Sequence, residues 1–564
     1  MDFIKRYNQW LEDDYFDEET KEELKGIEEK EIQERFYKDL EFGTGGLRGI
    51  IGAGTNRINK YTVRKATQGL ANYILKNKSE EREKSVVIAY DSRNRSKEFA
   101  HEAALVLNGN GIKAYVFEEL TPTPELSFAV RYLNCIAGIV ITASHNPPEY
   151  NGYKVYWSDG AQVSPPLDKE IITEVNKIED FKQVKIANKD KAIKEGLFNI
   201  IGKEVNDAYI QEVKKQSING DIIKKVADNF TIVYTPLHGT GNKPVRRVLK
   251  EIGFKNVIVV PEQENPDPNF STVSYPNPED PKAFELAIKL AKEKNADIII
   301  GTDPDADRVG VLVKNEKGEY VVLTGNMTGV LLSEYILSAK KEKGVLPKNG
   351  ALVKTIVTTE MARAITKEYN IELIEVLTGF KFIGEKIKQF KQNGKYEYLF
   401  GFEESYGYLA GTYTRDKDGV VASMLICELA AVYKNKGMTL YEGLQELYKK
   451  YGYYKETLEF ITLKGIEGLE KIKEIMSYLR NNPPKEFAGN KVLEVRDYEK
   501  GLSGFPKSNV LYFVLENNSW VCVRPSGTEP KVKFYFGVKG KDEVDANEKL
   551  SNLTKEVMEK INNI

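Results

Sequence analysis

The stretch Ile139-Val-Ile-Thr-Ala-Ser-His-Asn-Pro-Pro148 joins a short β-branched run to a polar loop. The run favours a buried strand, and the two prolines prevent a helix from starting at once. In open α/β sheets, the loops at the carboxyl ends of strands carry ligands. We therefore expect Ser144 and His145 on a loop at such a strand end. The Ser144 hydroxyl could cap a turn or act as a nucleophile, and this stretch alone leaves both open.

The same arrangement of strand and loop occurs three times along the chain. Three sets of β-branched or aromatic runs alternate with amphipathic helical segments, which favours parallel α/β architecture. The third run of each set leads into a polar loop, and we interpret the pattern as three related units that each offer one functional loop. The loops are Ala143-Ser-His-Asn146, Thr302-Asp-Pro-Asp-Ala-Asp-Arg308 and Gly401-Phe-Glu-Glu-Ser-Tyr-Gly407. The runs are 86–90, 114–117 and 138–142, then 230–234, 257–260 and 297–301, then 351–355, 373–376 and 396–400.

The two ends of the chain differ from this pattern. Strand-like runs at 457–461, 510–514 and 520–523 precede a helical segment at 543–561, which is typical of an α+β domain. Residues 1–41 read as charged helices that pack on the first unit.

Length and composition limit the classes of protein to consider. A chain of 564 residues suggests three or four domains. The net charge is 82 basic minus 84 acidic residues, or −2, which gives no indication of nucleic acid or an anionic membrane as partner. No apolar run reaches the roughly 18 residues that a membrane span needs. The N-terminus enters a charged helical stretch and does not read as a signal peptide.

Cysteine and histidine are scarce. Cys135, Cys427 and Cys522 each lie in an apolar stretch and are expected to be buried hydrophobic residues. Their scarcity predicts a reducing, cytoplasmic location. With only three histidines, a zinc site of the usual Cys/His kind is a poor fit. His145 and His238 follow apolar runs, so each could be a site residue or a satisfied structural histidine.

Asp303, Asp305 and Asp307 alternate in one loop after a run that predicts a buried strand. Alternate carboxylates can converge on one hard cation, and crowded like charges favour binding one. An EF-hand would need Gly at position 308 and Glu at 314, where this chain has Arg308 and Lys314. A solvated acidic turn is the alternative. We predict a divalent metal site, with Mg²⁺ as its ion.

Two further loops offer groups that suit a phosphorylated sugar. Arg524-Pro-Ser-Gly-Thr528 combines a guanidinium, two hydroxyls and a glycine, a set that fits a phosphate, although an ordinary surface turn would look similar. The carboxylates of Gly401-Phe-Glu-Glu-Ser405 suit sugar hydroxyls, or could be the acids of a glycosidase. Near the front, Gly43-Thr-Gly-Gly-Leu-Arg48 makes Arg48 a candidate anion clamp. Lys154 could be a nearby base or cation, or a surface lysine.

Together these loops indicate phosphoryl transfer. Uncatalysed phosphate-monoester chemistry is so slow that enzymes accelerate it by up to ~10²¹-fold. Positioning supplies only ~7–11 kcal/mol of that. The remainder has to be electrostatic, from a metal together with Arg and Lys around the moving group.

The four loops resemble the signature loops of the α-D-phosphohexomutases, in the order found in that family and over nearly the whole chain. They are Thr142-Ala-Ser-His-Asn-Pro-Pro148, Asp303-Pro-Asp-Ala-Asp-Arg308, Gly401-Phe-Glu-Glu-Ser-Tyr-Gly407 and Arg524-Pro-Ser-Gly-Thr-Glu-Pro530. The length and the Gly43-Thr-Gly-Gly-Leu-Arg-Gly49 stretch look most like the bacterial phosphoglucomutase branch, which is related to the phosphopentomutases. Pro304 stands where many members have glycine and should not remove a ligand.

The resemblance implies a fold and domain limits. The expected fold class is α/β, with three similar mixed α/β domains and a C-terminal α+β domain around a central cleft. We predict the domains at residues 1–205, 206–323, 324–450 and 451–564. A sugar-phosphate substrate and a sugar-bisphosphate intermediate are the implied partners, and the oligomeric state stays open between monomer and dimer.

The resemblance also implies a role for each candidate residue. Ser144 would carry the phosphoryl group, and its phosphate would share Mg²⁺ with Asp303, Asp305 and Asp307. Arg48, His145 and Lys154 would flank the transfer, with Lys154 as a possible proton shuttle, and Arg308 would lie beside the metal. Glu403, Ser405, Thr378 and Gly379 would bind the sugar, and Arg524, Ser526, Gly527 and Thr528 the phosphate that does not react.

The function predicted from this resemblance is interconversion of glucose 1-phosphate and glucose 6-phosphate. Phosphomannomutase or phosphopentomutase activity is the alternative, because a site that tolerates a moved hydroxyl discriminates by only ~1–3 kcal/mol. A catalytically idle sugar-phosphate-binding protein and a phosphatase are the other hypotheses.

Overall fold

The computed structural model describes residues 2–42, 46–77, 82–463, 465–526 and 531–564. The first part of the chain forms a mixed sheet with helices on its faces. Its strands are β1 (Gly46–Ile50), β2 (Ser85–Tyr90), β3 (Lys113–Phe117), β4 (Ala137–Ile141), β5 (Tyr150–Trp157) and β6 (Phe198–Ile201), in the spatial order β1-β5-β4-β2-β3-β6. The helices α1 to α10 are Asp2–Glu12, Glu18–Leu24, Glu29–Phe36, Lys60–Lys76, Ser96–Gly109, Thr123–Tyr132, Leu167–Asn176, Lys189–Lys194, Lys203–Lys214 and Gly220–Val226.

The second sheet is built from five strands in the order β11-β10-β9-β7-β8. They are β7 (Thr231–Thr235), β8 (Asn256–Val259), β9 (Ile298–Thr302), β10 (Val309–Lys314) and β11 (Tyr320–Leu323). The accompanying helices are α11 (Asn242–Ile252), α12 (Pro261–Glu264) and α13 (Glu285–Lys294).

The third sheet has four strands in the order β13-β12-β14-β15. They are β12 (Gly350–Thr355), β13 (Glu372–Val376), β14 (Glu397–Glu403) and β15 (Gly407–Ala410). The helices are α14 (Gly325–Glu342), α15 (Met361–Glu368), α16 (Phe380–Asn393), α17 (Gly419–Asn435) and α18 (Leu440–Tyr451).

The fourth sheet is antiparallel, with six strands in the order β16-β21-β20-β19-β18-β17. They are β16 (Tyr453–Thr462), β17 (Glu486–Phe487), β18 (Asn490–Asp497), β19 (Leu511–Leu515), β20 (Trp520–Pro525) and β21 (Lys531–Gly540). Its helices are α19 (Gly465–Asn481) and α20 (Glu543–Asn562). This is the α+β arrangement that the C-terminal sequence predicts.

The first three sheets repeat one motif, as the sequence pattern predicts. In each, three parallel strands lie in the spatial order third-first-second: β4-β2-β3, β9-β7-β8 and β14-β12-β13. The expectation of parallel strands holds for these trios. It is incomplete beyond them, because an antiparallel strand follows each polar loop: β5, β10 and β15. The polar loops therefore connect antiparallel neighbours, and each contains one non-glycine residue with positive φ: Ser144, Ala306 and Tyr406.

Burial explains why the central strands carry so few polar residues. All residues of β2, β4, β9 and β12 are buried, as expected when helices cover both faces of a sheet. The N-terminal helices pack on the first unit through Trp10, Phe16, Tyr61 and Phe181. Cys135, Cys427 and Cys522 are buried and free, as predicted. Among the described helices, none is long and apolar enough to cross a membrane.

Each sheet uses strands from one of the four predicted ranges, and the exact domain limits stay a prediction.

Candidate active site

Ser144 lies in the connection between β4 and β5 with a left-handed backbone, φ 52°. Its hydroxyl donates a hydrogen bond to Oδ2 of Asp303 over 2.7 Å and lies 3.1 Å from Nδ1 of His145. Its backbone N–H donates to the hydroxyl of Thr142 over 2.8 Å. Gly152 lets β5 approach this loop, because a Cβ there would lie 2.4 Å from the Thr142 carbonyl oxygen. The serine of the first loop thus meets the carboxylates of the second.

The three aspartates converge, as the sequence predicts. Asp303, Asp305 and Asp307 are almost fully buried, and one ligand oxygen from each lies within 4.8 Å of the others. The loop turns back on Asp303, whose Oδ1 accepts hydrogen bonds from the backbone N–H groups of Asp307 (3.1 Å) and Arg308 (3.0 Å). Thr123 of α6 holds Asp305 from the first unit, with a hydroxyl to Oδ2 distance of 2.9 Å.

Two lysines from different units face the aspartates. Lys154 of β5 donates to Oδ2 of Asp305 over 2.8 Å and lies 3.6 Å from Oδ2 of Asp307. Lys417, which precedes α17, lies 2.8 Å from Oδ2 of Asp307. The N-terminus of the same helix reaches the loop, since the Gly419 N–H donates to the Ala306 carbonyl over 3.0 Å. Three units therefore contribute to one charged cluster.

The pKa values of the titratable groups in this cluster shift in different directions. Burial, reinforced by Asp305 and Asp307, raises the pKa of Asp303 well above its usual value. Burial also opposes ionisation of Asp305, but the nearby Lys154 and the hydrogen bond with Asp303 lower its pKa. Burial, with Arg308 and Arg48 close by, lowers the pKa of His145 well below its usual value. His145 is therefore neutral at pH 7 in this environment.

The donor set fits a hard divalent cation. No described residue donates a hydrogen bond to Oδ1 of Asp305 or Oδ1 of Asp307, although both atoms are buried. Buried carboxylate oxygens without a donor are costly unless a cation satisfies them. Among the residues that the structure describes, this is the group of three carboxylates that can hold a metal.

A cleft of about 730 Å³ opens beside this cluster, and residues from the four parts of the chain that build the sheets line it. Nine of the sequence-predicted site residues lie in its wall: Arg48, His145, Arg308, Thr378, Gly379, Glu403, Ser405, Arg524 and Ser526. Ser144, Lys154 and the three aspartates are not among the lining residues, but Ser144 contacts His145 of the wall and Asp307 contacts Arg308. Gly527 and Thr528 are outside the described residues, as are Gly43, Thr44 and Gly45 of the front loop.

Glu403, a candidate residue for sugar binding, is held in place by a hydrogen bond from the backbone. Glu403 is the last residue of β14, so the predicted loop is shorter than the sequence suggests. Its Oε1 accepts a hydrogen bond from the Gly379 N–H over 2.9 Å, where Gly379 has φ 117°. Burial and the adjacent Glu404 raise the pKa of Glu403 to about 7. Thr355 donates to Oε2 of Glu404 over 3.2 Å.

Sequence reasoning missed several residues of the site. Lys417 had a signal, because the run Thr412-Tyr-Thr-Arg-Asp-Lys-Asp418 is polar and leads directly into an apolar helix. Arg308 bonds to Glu279, which reaches the cleft from the second unit. Glu279 carries no local motif, since its role arises from its contact with Arg308, a residue of a distant segment.

His238 has a structural role. Its Nδ1 lies 2.9 Å from the carbonyl oxygen of Asn265, and its Nε2 lies 2.8 Å from the hydroxyl of Thr272. Both ring nitrogens are thus occupied by a neighbouring segment of the second unit.

Four family models match the chain in order. They are phosphoglucomutase/phosphomannomutase alpha/beta/alpha domains I, II and III, at residues 39–182, 207–318 and 324–451, and the C-terminal domain at 480–549. A phosphoglucomutase of Staphylococcus aureus is 38% identical over 560 residues, which are 97% of each chain. A phosphoglucomutase of Staphylococcus haemolyticus is 38% identical over 517 residues, 90% of this chain and 91% of that one.

Two solved structures have the same fold. A phosphoglucomutase/phosphomannomutase family protein of Burkholderia thailandensis has a TM-score of 0.65 at 17% identity, covering 92% of this chain and 97% of that one. The phosphoprotein pp63/parafusin of Paramecium, a phosphoglucomutase in its open form, has a TM-score of 0.70 at 18% identity, covering 93% and 94%. At these identities the likeness concerns the fold.

Proposed function

The chain belongs to the phosphoglucomutase/phosphomannomutase family, and from this premise we propose that it interconverts glucose 1-phosphate and glucose 6-phosphate. It is a phosphohexomutase, an intramolecular phosphotransferase of the isomerase class. The observation that carries the proposal is the 2.7 Å contact between the Ser144 hydroxyl and Asp303, next to His145 of the cleft wall. A hydroxyl beside a carboxylate cluster that can bind a metal ion suits a phosphoryl carrier.

The proposed reaction conserves every phosphoryl group. Phosphorylated Ser144 gives its phosphoryl to the free hydroxyl of a sugar monophosphate, which breaks the Oγ–P bond and forms a sugar bisphosphate. Oγ of Ser144 takes up a proton as its bond to phosphorus breaks, and the sugar hydroxyl loses one. Lys154 is our candidate shuttle, because its ammonium group can give a proton to Oγ and take up the proton of the sugar hydroxyl. The bisphosphate then presents its other phosphate, and that phosphoryl returns to Oγ of Ser144. The product is the isomeric monophosphate.

We assign Mg²⁺ to Asp303, Asp305 and Asp307, with an oxygen of the Ser144 phosphate as a further ligand. The bound ion supplies positive charge next to the phosphoryl oxygens, where charge has to be neutralised during transfer. The donor set supports this assignment, because hard oxygen ligands suit Mg²⁺. Lys417 is a cation of the protein that faces the same cluster.

The remaining residues divide the substrate between them. Arg48, His145 and Arg308 are assigned to the reacting phosphoryl, because they line the cleft and two of them contact Ser144 or Asp307. Glu403, Ser405, Thr378 and Gly379 are assigned to the sugar hydroxyls. Arg524 and Ser526 line the part of the cleft formed by the fourth sheet and are assigned to the phosphate that does not react, together with Gly527 and Thr528.

The experiment is a coupled assay with glucose 1-phosphate, mannose 1-phosphate and a pentose 1-phosphate, with inorganic phosphate monitored in parallel. We expect rapid turnover of glucose 1-phosphate without phosphate release. Turnover of mannose 1-phosphate is the second outcome that the family model favours. Stoichiometric phosphate release would identify a phosphatase, and binding without turnover would identify an idle binding protein. Both results would overturn the proposal. We also propose a cytoplasmic location for the reaction, as the cysteine content predicts.

A further inference from the structure

The active shape of the Ser144 loop needs outside support. Ser144 is a non-glycine residue at φ 52°, a sparsely populated region of backbone space that persists when surrounding contacts fix it. The loop makes few hydrogen bonds of its own, such as the Asn146 N–H to the Ala143 carbonyl over 3.1 Å. The contacts that fix its course come from another segment.

Arg93 supplies those contacts. Its guanidinium donates to the carbonyl oxygens of Ser144 (2.6 Å), Pro147 (2.7 Å) and Tyr150 (3.0 Å), and also to that of Asn146. Three carbonyls of the loop and that of Tyr150, at the start of β5, thus converge on the side chain of Arg93, a residue that is 3% exposed. The fork of a guanidinium fixes directions as well as distances, which an ammonium cannot do.

The buried guanidinium is held in turn by a ring from the second unit. Phe270 is fully buried, and its ring centre lies 4.9 Å from the Arg93 guanidinium carbon, a cation–π distance. The opposite edge of Arg93 meets Asp91, with Nε 3.3 Å from Oδ2. The neighbouring residues of Arg93 and Phe270 are also in contact, because the Asn94 amide donates a hydrogen bond to Oδ1 of Asn269 over 3.1 Å.

Phe270 is itself fixed in place. It has φ 49°, in a turn where Asp267 accepts hydrogen bonds from the N–H groups of Asn269 (2.9 Å) and Ser271 (2.8 Å). His238 fastens both ends of this segment, through Asn265 and Thr272. This connects the structural histidine after β7 to the ring that faces Arg93.

We infer that Arg93 and Phe270 are positioning residues, through which the second unit sets the geometry of the Ser144 loop for phosphoryl transfer. The inference rests on the proposed role of Ser144. The contacts of Arg93 are with carbonyls of the Ser144 loop, with Asp91 and with Phe270, so the pair acts on the reaction through the loop. The unit that supplies the metal-type aspartates therefore also aligns the serine that faces them.

The test compares Phe270→Leu with Phe270→Tyr and with the matched control Phe230→Leu. Leucine keeps apolar volume but has no π face, whereas tyrosine keeps the π face. Phe230 is a buried phenylalanine of the second unit that directly precedes β7 and packs against Phe254. The measurements are kcat, KM for glucose 1-phosphate, and phosphate release from protein phosphorylated at Ser144.

For Phe270→Leu we expect kcat to fall about tenfold with KM nearly unchanged. The rate of phosphate release from phosphorylated Ser144 should also change, because Arg93 no longer fixes the orientation of the loop. Phe270→Tyr should restore kcat to within about twofold, and Phe230→Leu should leave kcat and phosphate release unchanged. Arg93→Lys, which keeps the charge but loses the fork, should lower kcat by about 10²-fold.

Each result is decisive for one of the two claims. If Phe270→Leu and Phe230→Leu behave alike while the unaltered protein is active, the positioning inference is wrong and the mutase proposal stands. If the unaltered protein neither turns over sugar phosphate nor carries phosphate on Ser144, the proposed function fails first. If Arg93→Lys does not fold, the Phe270 pair alone decides.

Discussion

The Ser144 hydroxyl and Oδ2 of Asp303 lie 2.7 Å apart, although they lie in loops that follow strands of different sheets. Each of the two loops contains one residue with a left-handed backbone, Ser144 in the first and Ala306 in the second. The hydroxyl and the carboxylate cluster are therefore arranged before any substrate arrives. Preorganised charge of this kind is usually the largest contribution to catalysis of phosphoryl transfer.

Ser144→Ala should remove both mutase turnover and phosphoryl labelling of the protein, because no other hydroxyl of the described residues donates a hydrogen bond to Asp303. We expect the remaining activity to be below about a thousandth of the original. The matched control is Ser333→Ala, a fully buried serine of α14 whose hydroxyl bonds to the Gly329 carbonyl. Activity in the Ser144 variant close to that of the control would remove the serine from the mechanism.

Asp303→Asn should have opposite effects on activity and on stability. Burial and two neighbouring carboxylates make the charge on Asp303 unfavourable without a cation, so the amide should raise the free energy of unfolding of metal-free protein by about 1 kcal/mol. Mutase activity should fall together with Mg²⁺ binding. Thermal unfolding in a chelator, calorimetric titration with Mg²⁺ and the coupled assay give the three readouts.

The control for this variant is Asp190→Asn, an exposed aspartate of α8. A chelator should abolish activity of the unaltered protein, and added Mg²⁺ should restore it. Full activity of Asp303→Asn, or activity that a chelator leaves untouched, would contradict the assignment of the metal to this cluster.

Glu403 should make sugar binding dependent on pH near neutrality. Burial and Glu404 raise its pKa to about 7, so the carboxylate that accepts hydrogen bonds from sugar hydroxyls is lost as the pH falls through that value. KM for glucose 1-phosphate should therefore rise between pH 8 and pH 6. Glu403→Gln should have a raised KM that changes less over this range. The substrate phosphate titrates near pH ~6 in both assays, so comparing the two proteins cancels the effect of its ionisation on KM.

Much of the fold could be predicted because the central strands are buried on both faces. Runs such as 86–90 and 298–300 are apolar in sequence for that reason, and the loops after them stand out. The strands β5 and β10 were missed, because they follow functional loops and their pairing depends on the chain turning back. The extension of β14 through Glu403 was missed for the same reason.

The site could be predicted from the sequence where a single loop supplies all the residues that act together. Asp303, Asp305 and Asp307 show their convergence through spacing alone. The partners Lys417 and Arg93 lie 110 and 51 residues away from the loops that they contact, and no local spacing records such contacts. Tertiary packing brings them together, so sequence patterns within one segment could not find them.

The interface between the first and third units contains a carboxyl group that should limit stability at high pH. Glu125 of α6 is fully buried, and burial together with Asp418 raises its pKa to about 8. The folded protein therefore holds a proton that the unfolded chain, with an ordinary value of 4.5, releases sooner. The stabilising contribution is present below pH 4.5 and is lost as the pH rises toward 8, by roughly 1.4 kcal/mol for each pH unit.

Glu125→Gln should remove this loss, because the amide is neutral at every pH and can still accept a hydrogen bond from the Asn206 side chain. We expect the variant to be more stable than the unaltered protein at pH 8, by several kcal/mol at most, and similar to it near pH 5. Denaturant unfolding across this range measures the difference. Glu372→Gln, at an exposed glutamate, controls for the loss of one negative charge. A stability difference that does not change with pH would show that Glu125 is ionised in the folded protein and that Asp418 and its surroundings accommodate the charge.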